Sequence, residues 1–219
     1  MHSHLLRLYT STYAAGAVAA PLHALPHAIY VTAGSVILRA AEQAASLEVN
    51  SAWFGSAAPA VTAGKSGARV LRWELVRKGD AAAHSGAAPD AVLTLEQEIA
   101  LDPAVTYLMR CDRVGFPAGG EALTHVHQGP GIRCLLAGSI RIDSEGASHS
   151  YAPGEAWFEA GPQPVYAAAS RDTPTAFARV MILPRSCHGK SSIRYVRPED
   201  ADKPKTQTYQ IFADEFITP

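Results

Sequence analysis

Residues 119–138 read GGEALTHVHQGPGIRCLLAG, and in this stretch a single residue separates His125 from His127. Along a β-strand, residues i and i+2 point to the same face, so both imidazoles can enter the same protein interior. β-Scaffolds present metal ligands in this way, but histidines at a strand end also act as hydrogen-bonding partners of loop groups. The pair alone leaves both interpretations open.

Parts of the chain occur twice, at a constant separation of 104 residues. Ala33–Val36 returns as Ala137–Ile140, and Ala52–Phe54 returns as Ala156–Phe158. Two matches at one separation, one of them containing tryptophan, do not arise easily by chance. Because this period is too long for a solenoid repeat, it predicts a duplicated domain.

Short apolar runs bounded by Gly, Pro, Ser or Asp recur along the chain, which is typical of an all-β sandwich or barrel. The segment 91–101 has no clear helical period, and we predict it to be a strand. We assign residues 1–77 to a first domain, 78–90 to a solvated linker and 91–187 to a second domain. Residues 188–219 are predicted to form an arm that covers a sheet edge.

The residues around His125 resemble the first motif of the cupin superfamily, G-x5-H-x-H-x(3,4)-E-x6-G. Gly119, His125, His127 and Gly138 match this motif, whereas Gly131 stands at the glutamate position. With the duplication, the chain resembles a bicupin. The resemblance implies two tandem jelly-roll barrels (double-stranded β-helices) and a divalent ion such as Zn, Fe, Mn or Ni.

The second cupin motif, G-x5-P-x-G-x2-H-x3-N, is matched only at Gly154. Val165 stands at its histidine position, and Val61 is the equivalent residue of the first copy. Valine cannot ligate a metal, so neither copy can form the usual shell of three histidines and one glutamate.

Tight transition-metal sites supply three or four protein ligands, so His125 and His127 need a further partner. Glu159 is our preferred third ligand, although a position facing solvent or the barrel seam is favoured over ligation. In the first copy, the same frame places His23 and His27 at the second histidine and glutamate positions. They form a second possible site, although the intervening Pro26 distorts a strand and favours a structural role.

Arg133 and Gln163 are the candidate substrate-binding residues. An inward-pointing Arg133 would offer a guanidinium fork for a carboxylate. Its neighbours Ile132 and Cys134 are apolar, and strand alternation then slightly favours an outward, surface position for Arg133.

Composition narrows the range of partners. The net charge is −1 and no stretch gathers Lys or Arg, which argues against nucleic-acid binding and electrostatic membrane attachment. The odd number of cysteines, three, fits buried thiols of a cytoplasmic protein better than a disulfide framework. Because exposed sheet edges invite pairing, we also expect a homodimer.

Two functions follow from the resemblance, and the sequence leaves both open. The first is a bicupin that binds or acts on a small acidic molecule in the second barrel, with a reduced metal site at His125 and His127. If it is an enzyme, the resemblance implies a metal-dependent dioxygenase or isomerase, with no catalytic residue yet assignable. The second is a ligand-binding or sensory module that neither catalyses a reaction nor holds a metal.

Overall fold

The protein is described by a computed structural model that covers residues 1–40, 43–80 and 91–219. It consists of antiparallel strands with two short 3-10 turns, which confirms the all-β prediction. The described chain divides into an N-terminal unit, residues 1–105 with 217–219, and a C-terminal unit, residues 106–216. No helix in the described ranges is long and apolar enough to cross a membrane.

The N-terminal unit is built on one antiparallel sheet. Its strands are β1 (His2–Tyr13), β2 (His27–Ala40), β3 (Gln43–Glu48), β4 (Ala52–Gly55), β5 (Ala60–Arg77) and β6 (Ala91–Leu101). The order across the sheet is β3-β2-β5-β1-β6, and β4 also pairs with β2. The segment 91–101 is therefore a strand, as predicted.

The division between the domains differs from the one expected from the sequence. We placed residues 91–101 at the start of the second domain, but β6 pairs along its length with β1 and so belongs to the N-terminal unit. A polar stretch in the sequence cannot show which sheet the following strand joins. Most of the expected linker, residues 81–90, lies outside the described residues.

The C-terminal unit contains two five-stranded sheets. Its strands are β7 (Tyr107–Phe116), β8 (Glu121–His127), β9 (Gly131–Ala137), β10 (Ile140–Ser144), β11 (Ala147–Tyr151), β12 (Ala156–Glu159), β13 (Val165–Ala169), β14 (Thr175–Pro184), β15 (Ile193–Tyr195) and β16 (Thr208–Ile217). The first sheet has the order β12-β9-β14-β7-β16, and the second has the order β11-β10-β13-β8-β15.

The apolar core of the C-terminal unit draws side chains from both sheets. Phe116, Trp157 and Phe177 come from the first sheet, and Ile142 and Val165 come from the second. Trp157 packs edge-on against Phe177, with ring centroids 5.2 Å apart. The two sheets therefore share one interior, and the side chains that point inward meet there.

The C-terminal arm supplies a strand to each sheet. β15 pairs with β8, and β16 lies next to β7, in both cases at the end of the strand order. This confirms the prediction that the arm packs as added strand on a sheet edge. Covering these edges removes unpaired backbone groups that would otherwise be free to pair with other chains.

The repeat in the sequence reappears as the same strand pairing in both units. Trp53 of β4 lies opposite Ile29 of β2, and Trp157 of β12 lies opposite Arg133 of β9. Both members of each pair are shifted by 104 positions. Matching residues of the two copies therefore occupy the same register.

Two glycines that match in the repeat share one backbone conformation, although the strands around them differ. Gly34 and Gly138 both have left-handed backbone, with φ of 68° and 75°. In the N-terminal unit the chain passes through Gly34 as the continuous strand β2, whereas at Gly138 it breaks into β9 and β10. Each glycine also lies against backbone, because an added Cβ would strike a carbonyl oxygen of Gly67 or of Pro174.

A charged network is buried in the N-terminal unit around Glu74. This carboxylate contacts Arg72 and lies 3.6 Å from Arg7 and 3.7 Å from Nε2 of the fully buried His27. Burial, aided by the charge of Arg72, lowers the pKa of His27 to about 3. His27 is therefore neutral at physiological pH.

We expect Gly138→Ala to destabilise the protein strongly. An alanine Cβ would lie 2.7 Å from the Pro174 oxygen in addition to adopting left-handed backbone, so the free energy of unfolding should fall by roughly 2–4 kcal/mol. The control is Gly146→Ala, where φ is 79° but no atom lies within 4 Å, and where the loss should be roughly 1 kcal/mol. Urea titration measures the free energy of unfolding of each variant. Equal losses would show that the close contact with Pro174 does not add to the cost of Gly138→Ala.

Stability should depend on pH through His27. Its pKa is about 3 when folded against an ordinary value of 6.5, so the unfolded chain takes up the proton first as the pH falls. The stability that depends on neutral His27 is fully present above pH 6.5 and is lost as the pH falls from 6.5 to 3. At pH 5 the loss is about 2 kcal/mol. Urea titrations at pH 7 and 5 should give a smaller difference for His27→Gln than for the wild type. Substitution of the exposed His149 should leave the difference unchanged.

Candidate functional site

The candidate site lies in the interior shared by the two sheets of the C-terminal unit. His125 and His127 come from β8 in one sheet, and Arg133 and Glu159 come from β9 and β12 in the other. All four line one cavity, together with apolar residues such as Trp157. The pairing of β12 with β9 places Arg133 and Glu159 side by side, because Glu159 lies opposite Gly131 and Trp157 lies opposite Arg133.

The two histidines share one face of β8, as the sequence predicted. Their Nε2 atoms are 3.2 Å apart, and each residue is only 4 % exposed. Nδ1 of His125 lies 2.7 Å from the carbonyl oxygen of Leu123. Because a carbonyl can only accept, His125 carries its proton on Nδ1, and its Nε2 presents a lone pair to the cavity.

Burial keeps both imidazoles neutral. It lowers the pKa of His127 to about 3, against the opposing influence of Glu159, and it also lowers the pKa of His125. With His125 Nε2 as an acceptor, neutral His127 can place its own proton on Nε2 and donate it to His125 or to Glu159.

Glu159 lines the cavity and lies close to His127. Its Oε1 accepts a hydrogen bond of 2.9 Å from Trp157, and its Oε2 lies 3.2 Å from Nε2 of His127. The same Oε2 forms an ion pair of 2.7 Å with Arg133. Burial opposes ionisation, but the charge of Arg133 and the contacts with His127 and Trp157 outweigh it and hold the pKa of Glu159 well below its usual range.

Arg133 points into the protein, so the outward position that we slightly favoured is wrong. The residue is 1 % exposed, and its guanidinium donates a 2.6 Å hydrogen bond to the carbonyl oxygen of Gly131. Burial lowers its pKa to about 10, which leaves it protonated at neutral pH. Ile132 and Cys134 are equally buried, so both faces of β9 are covered and strand alternation could not predict its direction.

The cavity around these four residues is small. Its free volume is about 20 Å³, which suffices for roughly one water-sized group. A larger cavity of about 320 Å³ in the same unit shares three lining residues with it, namely Arg179, Ile193 and Tyr209. We call this larger space, lined by Arg110, Asp112, Lys190 and their neighbours, the outer cavity.

The donor set does not fit a tightly bound divalent ion. Oε2 of Glu159 is held by Arg133. If His127 ligated through Nε2, its proton would move to Nδ1, for which the described residues offer no hydrogen-bond partner. Within the described ranges, no group of three or more His, Cys, Asp or Glu side chains is arranged to hold a metal ion.

Val165 stands where the cupin pattern has its last histidine. It lies directly opposite His125 in the pairing of β13 with β8, and its side chain lines the same cavity. The position is therefore aimed at the site, but the residue supplies no donor atom.

Three of the other predicted site residues do not join this cluster. Gln163 is exposed in the turn before β13 and lines neither cavity. His23 is exposed, whereas His27 is fully buried beside Glu74.

Sequence reasoning missed Arg179 and Tyr209, which line both cavities. Arg179 is buried on β14 and holds Asp112 through two hydrogen bonds of 2.6 and 3.0 Å. Its signal in the sequence was a single arginine inside an apolar strand, as for Arg133. Tyr209 had no local signal, since its position depends on how the C-terminal arm returns to the sheet.

No protein-family model and no curated protein matches the sequence. Solved structures do match the fold. A deletion mutant of Bacillus subtilis oxalate decarboxylase gives a TM-score of 0.64 at 12% identity, over 90% of this chain and 73% of that chain. AerE from Microcystis aeruginosa gives a TM-score of 0.60 at 13% identity, over 83% of this chain and 93% of that chain. Both are cupin-fold proteins, and the chain described here shares the cupin fold.

Proposed function

We propose that this chain is a bicupin whose C-terminal unit binds a small acidic molecule. The matching register of β4 with β2 and of β12 with β9 supports the view that each unit is one cupin barrel. The observation that carries the functional proposal is the convergence of His125, His127, Arg133 and Glu159 in one largely apolar cavity. A few polar groups in an apolar cavity are typical of small-molecule sites.

The charge of the outer cavity supports an acidic ligand. Arg110, Arg179 and Lys190 line it, against the single carboxylate of Asp112. Arg179 is paired with Asp112, and Arg110 is paired with Asp214 at 2.9 Å. Lys190 therefore gives this region its excess positive charge, and a ligand carboxylate would balance it.

The inner cavity supports a ligand that is small or narrow at one end. It has room for roughly one water-sized group, and His125 Nε2 can accept a hydrogen bond there. The acid group would lie near Lys190 and the opposite end would reach toward the histidines. A neutral imidazole in this position can also accept a proton from the ligand.

The second candidate function, binding without catalysis, is favoured by the residues at two motif positions. Gly131 and Val165 stand where the cupin pattern has a metal-ligating glutamate and histidine, and neither side chain has a donor atom. Turnover of a bound acid, measured as loss of the added compound with time, separates an enzyme from a binding module.

Small carboxylates should bind to the C-terminal unit and lose affinity when Lys190 is changed. Oxalate, the compound named for the B. subtilis neighbour, is a suitable first probe, followed by longer mono- and dicarboxylates. Isothermal titration should show roughly tenfold weaker binding for Lys190→Ala, since one charged contact is lost. Lys203→Ala is the matched control, because Lys203 is exposed in the same unit and lines neither cavity. Equal affinity in the two variants would contradict the proposed binding mode.

Metal occupancy of the purified protein should be partial. Two neutral imidazoles can share an ion at N–metal distances of about 2.0–2.2 Å, but they lack the third ligand of a tight site. Elemental analysis after incubation with Zn²⁺, Mn²⁺, Fe²⁺ or Ni²⁺ should give less than one equivalent, and His125→Ala with His127→Ala should remove it. Full retention of metal in this double variant would show that the ion binds outside this cavity, and His23 and His27 would be the next pair to substitute.

A further inference from the structure

The guanidinium of Arg133 fills the space next to Gly131. A Cβ on Gly131 would lie 2.5 Å from the carbonyl oxygen of Val180, 2.7 Å from a side-chain carbon of Met181 and 3.0 Å from the guanidinium of Arg133. No larger side chain fits at this position without moving backbone. The guanidinium stays there because it donates to the Gly131 carbonyl.

The charges around the site are balanced as they stand. Arg133 neutralises Glu159 at 2.7 Å, and Arg179 neutralises Asp112 at 2.6 Å. A divalent ion that used Glu159 would lie within a few ångströms of the Arg133 charge. In a buried site of low dielectric this repulsion is strong, and the added charge would have no protein counterion.

We propose that the guanidinium of Arg133 takes the place of a metal ion in this site and is the group that keeps divalent ions from binding tightly. It occupies the carboxylate that a metal would need, and it supplies the positive charge that this buried carboxylate requires. Arg133 thereby determines that the cluster is an ion-paired network rather than a metal centre. This inference deepens the proposed function, since it concerns the same cavity.

Substitution of Arg133 alone should therefore produce a metal-binding site. Without Arg133, Glu159 would keep its position 3.2 Å from Nε2 of His127, and the two histidine Nε2 atoms would lie beside a carboxylate that has no cation. Two imidazoles and one carboxylate form a set that binds Zn²⁺ and related ions with open positions for water. Loss of the guanidinium should therefore raise the metal affinity above the weak affinity of the wild type, although the unpartnered Nδ1 of His127 still disfavours ligation through Nε2.

The experiment compares two substitutions that differ in charge. Arg133→Met removes the charge and keeps an unbranched side chain, whereas Arg133→Lys keeps a positive charge near Glu159. Zinc affinity is measured by competition with a chromophoric chelator, and Co²⁺ absorption reports the ligand set. We expect Arg133→Met to bind zinc at least about tenfold more tightly than the wild type, and Arg133→Lys to resemble the wild type.

A second substitution tests whether the new site uses the predicted ligand. Adding Glu159→Gln to Arg133→Met should return zinc affinity to the wild-type level, because the amide is a far poorer ligand than the carboxylate. Near-ultraviolet circular dichroism verifies that each variant is folded. A folded Arg133→Met protein with unchanged zinc affinity would overturn the proposal.

The wild-type protein provides a test that does not require any substitution of Arg133. Tight binding of one equivalent of zinc by the wild type, lost in Glu159→Gln, would show that Arg133 does not exclude the metal. Carboxylate binding is titrated separately with chelator present and no metal added. Failure of that titration would count against the acidic ligand and leave the conclusion about Arg133 unaffected.

Discussion

The ion pair between Arg133 and Glu159 is the constraint on which the site depends. Both groups are charged inside an apolar core, where a charge without a partner is costly. Breaking such a pair by removing one partner costs about 3–5 kcal/mol, even though an apolar replacement of both can be neutral. Each partner has a second anchor: Arg133 donates to Gly131, and Glu159 accepts from Trp157.

This pair also sets the chemistry of the neighbouring histidines. Because Arg133 already balances Glu159, the carboxylate does not need a protonated imidazole, and burial keeps His125 and His127 neutral. The hydrogen bond to Leu123 then fixes the proton of His125 on Nδ1 and leaves a lone pair facing the cavity. The site therefore offers a neutral acceptor close to a balanced pair of charges, in a space for one small group.

The two units carry different residues at matching positions of the repeat. Matching residues share a register, yet Ile29 stands where Arg133 lies and Gly55 stands where Glu159 lies. The N-terminal unit accordingly buries a different charged network, centred on Glu74 rather than on the position equivalent to Glu159. The ion pair proposed to replace a metal is therefore a property of the second copy alone.

The sequence by itself determined the β class, the repeat at a separation of 104 residues, the inward pair His125 and His127, and the strand character of the C-terminal arm. These features depend on periodicity and spacing among residues that are close together in the sequence. The direction of Arg133, the sheet that 91–101 joins, and the approach of Arg179 and Tyr209 to the cavity were decided by tertiary structure. Both faces of β9 are buried, and pairing partners lie far away in sequence, so no local pattern carries that information.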